Sequence, residues 1–118
     1  MESNNTFDQL KKVLVKFEKH LSVLHNKPDN YYLNTPDKDN KKKPEFFGAA
    51  QIKKTYVSFH LMPVYYYPEL LDEISDELKS KMQGKSCFNF KEIDKSQLSE
   101  LKSLTKSAFE KYKEMGRV

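Results

Sequence analysis

The chain has 118 residues, of which 37% are hydrophobic and 32% charged, with a formal net charge of +4. That length allows one domain and one hydrophobic core, and eight phenylalanines with seven tyrosines supply bulkier core material than disordered chains carry. No apolar run approaches the ~20 residues of a membrane span, and the single cysteine excludes an internal disulfide and fits a reducing compartment.

The opening residues show neither a basic segment nor an apolar one, so no secretory leader is expected and the location is read as cytoplasmic. Basic residues number 21 against 17 acidic ones, and only one of them, Arg117, is an arginine. It stands after the last helix, where fraying is expected. Nucleic-acid readers rely on arginine for bidentate contacts, so nucleic acid is not the expected partner.

The first segment reads as an amphipathic helix. Phe7, Leu10, Leu14, Phe17, Leu21 and Leu24 recur at steps of three and four. Thr6 with Gln9 has capping-box spacing, which makes Thr6 the expected N-cap, and the helix should end between His20 and His25. After a turn at Pro28, residues 30–35 have strand composition. Residues 37–44 form the most polar stretch and read as a surface loop.

Two strands follow. Residues 46–52 carry Gly48, Ala49 and Ala50 in the middle, small enough for another group to approach closely. Residues 55–62 alternate: Val57, Phe59 and Leu61 face one way, Tyr56, Ser58, His60 and Met62 the other. From Pro68 to about Met82 two short helices or one bent helix are expected, with a second start at Ser75 and Gly84 as the C-cap glycine. Residues 86–90 form the last strand, with Phe88 and Phe90 on one side and Cys87 and Asn89 on the other. Asp94 with Gln97 repeats the capping box and opens a final helix to about Met115, whose apolar face includes Leu101, Ala108, Phe109, Tyr112 and Met115. Gly116 closes it.

Connections this short force antiparallel neighbours in the centre, and the terminal helices must bury their stripes on one sheet face. The expected fold is a single α+β domain over residues 1–118, with a small, mainly antiparallel sheet of about four strands packed against N- and C-terminal helices.

No Cys-x-x-Cys, His-x-x-x-His or glycine-rich phosphate loop occurs. Cys87 and His60 share a strand parity that permits a thiol–imidazole pair, the basis for reading the chain as a small enzyme. No third orienting group is evident, and that reading ranks last. Glu69, Asp72, Glu73, Asp76 and Glu77 place five carboxylates within nine residues. Acid-rich first turns are routine, and the sharper alternative is a weak hard-cation site. The tyrosines around the strands point either to strand propensity or to a pocket. The pocket reading groups Tyr56, Ser58, His60 and Met62 with nearby Tyr65 and Asn89 as a partly open ligand-binding cleft, with His60 its central polar group.

Residues 54–58 (Lys-Thr-Tyr-Val-Ser), 84–90 (Gly-Lys-Ser-Cys-Phe-Asn-Phe) and Asp94 resemble the strand and cap motifs of the YdhG-like family, a bacterial domain of unknown function. The resemblance covers roughly residues 46–112. It implies a frataxin-like α+β fold. The family's Trp-x-x-Pro-Phe segment is replaced here by residues 30–36, and the chain has no tryptophan, so it reads as a divergent member. One family member is described as an iron chaperone, and Asp72, Glu73, Asp76 and Glu77 are the nearest counterpart of an acidic iron-binding ridge. The leading expectation is a non-enzymatic binding or accessory domain without a cofactor, serving a small ligand or a protein partner. An iron-binding chaperone is the alternative, and self-association into a dimer stays open.

Overall fold

Five strands lie side by side in chain order, each antiparallel to the next: β1 (Ser22–Lys27), β2 (Asn30–Asn34), β3 (Phe46–Ile52), β4 (Val57–Leu61) and β5 (Cys87–Phe90). The computed structural model describes residues 2–36 and 44–118, with side chains in the first helix from Asn5 onward. The expected loop at 37–44 therefore lies outside the described residues, apart from Pro44. The helices are α1 (Glu2–Val15), α2 (Met62–Tyr66), α3 (Asp76–Lys79) and α4 (Lys95–Glu114), with 3-10 turns at Glu18–His20 and Pro68–Glu73.

The α+β class and the helix-flanked antiparallel sheet agree with expectation. The strand count is five rather than four, and the added strand is β1. The first helix ends at Val15, so Leu21 and Leu24 continue its spacing without belonging to it. Residues 22 to 27 instead pair with β2 across the Pro28–Asp29 turn, from Ser22 opposite Asn34 to Lys27 opposite Asn30. Cross-strand pairing overrides a local 3.6-residue rhythm here. Thr6 is not an N-cap, because α1 starts four residues earlier; its hydroxyl donates to the Lys91 carbonyl at 3.3 Å.

α1 and α4 bury their apolar stripes in one cluster. Leu10 and Leu14 from α1 meet Leu101, Ala108 and Tyr112 from α4, over Val57, Phe59, Leu61, Phe88 and Phe90. Phe109 packs partly buried against it, whereas Met115 lies just past the end of α4 and is half exposed. Gly48 shows why a small residue was needed. A Cβ there would stand 2.9 Å from the His60 carbonyl oxygen and 3.2 Å from Leu14 Cδ2. The capping box forms as read: Gln97 N–H donates to Asp94 Oδ1 at 2.7 Å, and Asp94 N–H to Gln97 Oε1 at 3.2 Å.

Between β4 and β5 the two short elements expected after Pro68 are present, a 3-10 turn and α3, and a further short helix precedes them. α2 starts at Met62, taking that residue off the strand; its second residue is Pro63, whose missing N–H has no intrahelical partner in a first turn. Ser75 caps α3, its hydroxyl accepting from Leu78 N–H at 3.2 Å. Gly84 does not cap that helix, which ends at Lys79. At φ +85° it turns the chain so that residues 81–83 run back along β5. Gln83 N–H donates to the Cys87 carbonyl and Asn89 N–H to that of Lys81, both at 2.8 Å, closing the β5 edge.

Two substitutions test this core by urea denaturation. Phe59→Ala should cost about 3–5 kcal/mol, the usual range for emptying a fully buried phenylalanine site; an unchanged midpoint would mean the strand faces are reversed. Gly48→Ala should cost roughly 1–3 kcal/mol through overpacking against a backbone carbonyl that cannot swing aside.

Candidate functional site

The strand residues that alternate with the core project from the sheet face opposite the helices, and none of them enters the core cluster. Two rows cross all five strands there. The first runs His25, Tyr32, Ala49, His60, Cys87; the second runs Lys27, Asn30, Gln51, Ser58, Asn89. Rings dominate the first row. His25 meets Tyr32 edge-on at 5.6 Å, Tyr32 stacks on Phe46 at 4.6 Å, and Phe46 lies 6.3 Å from His60. Ala49 is fully buried with no helix above it, because large rings flank it on both sides. Carboxamides dominate the second row, where Gln51 Nε2 donates to Asn30 Oδ1 at 3.1 Å.

Phe46 reaches this face through a break in the pairing. Leu33 opposes Gly48, but Asn34 opposes Phe46, so residue 47 is extra. Such a bulge re-aims side chains. Phe47 turns into the core, edge-on to Tyr112 at 5.8 Å, and Phe46 turns outward. Sequence reading missed Phe46, Tyr32, His25, Asn30 and Gln51 as members of this surface. Two consecutive phenylalanines signal that one ring must leave the core face, but regular pleating with Gly48 and Ala50 inward would send out Phe47, and the bulge selects Phe46 instead.

The expected cleft residues are only partly brought together. Ser58 and Asn89 are direct cross-strand partners, as are His60 and Cys87. Ser58 is buried, with its hydroxyl 3.5 Å from the Gln51 carbonyl. Tyr56, half-buried just before β4, borders with Asn89 and Lys81 an open groove of about 790 Å³ that also takes in Glu77 and Asp94. Met62 has left the strand for α2, so it does not belong to this face. Tyr65 is also on α2, half exposed, its ring against Tyr66 and under the Lys85 ammonium.

His60 Nε2 lies 3.9 Å from Cys87 Sγ, and that thiol donates to Asn89 Oδ1 at 3.4 Å. Burial lowers the His60 pKa, and the nearby Lys53 ammonium lowers it further. Burial raises the Cys87 pKa, with Lys53 pulling weakly the other way. Both shifts favour the uncharged forms, a thiol beside a neutral imidazole. The thiolate is the nucleophile, and this environment disfavours it.

The four carboxylates considered for iron are exposed and divided: Asp72 and Glu73 on the 3-10 turn, Asp76 and Glu77 on α3. Among the described residues no three His, Cys, Asp or Glu side chains gather as a metal site. No helix among them is long and apolar enough to cross a membrane. No family model, curated protein or solved structure matches the chain.

His60 offers a direct test. Its imidazole should titrate below the ordinary 6.5 when followed by NMR. The unfolded chain then binds the proton first as pH falls, so stability drops from about pH 6.5 downward until folded His60 protonates as well. His60→Gln should remove that part of the pH slope; a midpoint at or above 6.5 would contradict the burial argument.

Proposed function

We propose that this chain is a non-enzymatic binding domain, a divergent YdhG-like, frataxin-like protein of the cytoplasm, working through the helix-free face of its sheet. The observation that carries this reading is the pair of rows across that face, one of rings and one of carboxamides. Ligand sites join a mainly apolar surface to a few convergent polar groups. Lys27, at one end of the second row, is the only Asp, Glu, Lys or Arg on any of the five strands, and Lys53 just past β3 is the ammonium felt by His60 and Cys87, so a flat neutral molecule on the middle of the rows has little charge to desolvate. Its ring would pack against Tyr32, Phe46 and His60, and its amide-like edge would find donors and acceptors on Gln51 and Asn89.

Three further observations support parts of the reading. The uncharged His60–Cys87 pair favours binding over nucleophilic catalysis. A five-stranded antiparallel sheet under terminal helices agrees with the architecture implied by the family resemblance. A single free cysteine fits a reducing compartment. The iron-chaperone alternative draws on the resemblance alone, since its carboxylates are split between two short elements. Anaerobic calorimetry with ferrous iron separates the two, heat that survives in the wild type but not after neutralising Asp72, Glu73, Asp76 and Glu77 favouring the alternative.

Amide NMR spectra with nicotinamide, adenine and uracil as probes test the leading reading. At roughly 1 mM probe, an affinity worth about 4 kcal/mol is visible. Shifts should concentrate at Tyr32, Ala49, His60 and Asn89 and disappear in Tyr32→Ala. Shifts confined to the helical layer, or none with any probe, would refute it.

A further inference from the structure

Independently of the sheet face, the geometry points to a second site, and we propose that the tyrosine cage now filled by Arg117 is a recognition site for an arginine side chain of a partner protein, with Arg117 its resident competitor. Three rings surround the Arg117 guanidinium. Its central carbon lies 4.7 Å from the Tyr66 ring centroid, 5.4 Å from Tyr112 and 5.8 Å from Tyr67. All are within the ~6 Å over which a cation is drawn to an aromatic face. Nε donates to Tyr67 Oη at 3.1 Å, and Nη1 donates to Glu45 Oε2 at 2.9 Å. An aromatic wall with a carboxylate on its rim matches a guanidinium in both shape and charge.

The walls and the occupant are held differently. Tyr112 is fully buried, and its hydroxyl has no hydrogen-bond partner among the described residues. Tyr67 packs against the core cluster from the end of α2. Glu45 leads into β3. These walls come from three separate parts of the fold. The occupant, by contrast, arrives on a single turn past α4, made by Gly116 at φ +74°, with Arg117 N–H donating to the Tyr112 carbonyl at 2.8 Å. Val118 beyond it packs partly buried against the core cluster, and Tyr66 is half exposed; helix ends open at lower free energy than core elements, so displacement of Arg117 takes the last turn with it and leaves Tyr67 and Tyr112 in place.

What the cage accepts is visible in its present occupant, an arginine carried by a peptide backbone. The surroundings suit a protein partner. The cage ring of Tyr66 is about half exposed, as is Tyr65 packed edge-on to it, and tyrosine and arginine are types enriched in protein interfaces. An intramolecular occupant on a short tether acts at an effective concentration of about millimolar or more, so a partner's arginine must displace it, and binding by the intact chain is weakened accordingly.

Ethylguanidinium is the probe, read by the ring resonances of Tyr66, Tyr67 and Tyr112. Arg117→Ala should bind it at least about tenfold more tightly than the wild type, and adding Glu45→Gln should weaken that binding again. Arg117→Gln, which keeps the side-chain stem, serves as a second variant. A blocked Gly-Arg-Gly peptide should bind Arg117→Ala at least as well as ethylguanidinium; failure of the peptide while the small cation binds would overturn the protein-partner assignment. A folded Arg117→Ala without ring shifts would overturn the site itself. Loss of folding in both variants would overturn it equally, because walls that need Arg117 to form are not a preformed cage.

Discussion

The three residues 46 to 48, Phe-Phe-Gly, fix how the two layers of this protein meet. Phe47 enters the core against Phe109 and Tyr112, with ring centroids at 6.1 and 5.8 Å. Gly48 lets Leu14 of α1 come down almost onto the backbone of the sheet, in a space that a methyl group would overfill. Phe46, displaced by the same one-residue bulge, stands on the other side and stacks on Tyr32. The helices are thereby seated on one face, and the other face receives its central ring. Removing the bulge would move either Phe47 out of the core or Phe46 off the open face, because a one-residue slip exchanges the two sides of a strand.

Local chemistry was legible in the sequence, and long-range pairing was not. The Asp94–Gln97 box, the Ser75 cap and the alternation of residues 57 to 61 depend on neighbours a few positions away, and each appears as read. The Tyr56–Ser58–His60 parity was therefore available in advance, as was the Cys87–Asn89 parity. Which strand lay beside which was not. β1 was hidden because Leu21 and Leu24 happen to extend the rhythm of α1. Tyr32, Asn30 and Gln51 could not be assigned to the candidate surface without the β2–β3 register, and Met62 was counted in it because nothing in the alternation marks where a strand gives way to a helix. Gly84 looked like a cap since a glycine after an apolar helical stripe is the usual sign of one, yet its conformation serves a hairpin.

Arg117 is the clearest case of a residue misjudged by position. Past the last helix, a lone arginine reads as loose. Its contacts instead reach residues 5, 50, 51 and 72 positions away, at Tyr112, Tyr67, Tyr66 and Glu45. No periodicity or motif encodes such a meeting. It depends on the left-handed turn at Gly116 and on the end of α2 and the residue after it bringing Tyr66 and Tyr67 to the end of α4.

Charge is also segregated by layer. Almost a third of the chain is charged, yet the strands hold one charged residue, Lys27, at the margin. Helices and turns carry the rest of the described charge. A half-buried surface of rings and carboxamides has already lost part of its hydration: Ser58 and Ala49 are covered by their own neighbours, and Gln51 Nε2 donates to Asn30 Oδ1. The remaining cost of covering such a surface is that of neutral dipoles, a few kcal/mol at most where a hydrogen bond is lost without replacement, and not that of stripping ions. The same reasoning separates the two candidate surfaces. The middle of the sheet face suits a neutral ligand because its charges, Lys27 and Lys53, stand at the margins, whereas the tyrosine cage holds a cation by surrounding it with ring faces and one carboxylate. Two chemically opposite forms of recognition thus occupy two different parts of one small fold, and a ligand suited to either has little to gain from the other.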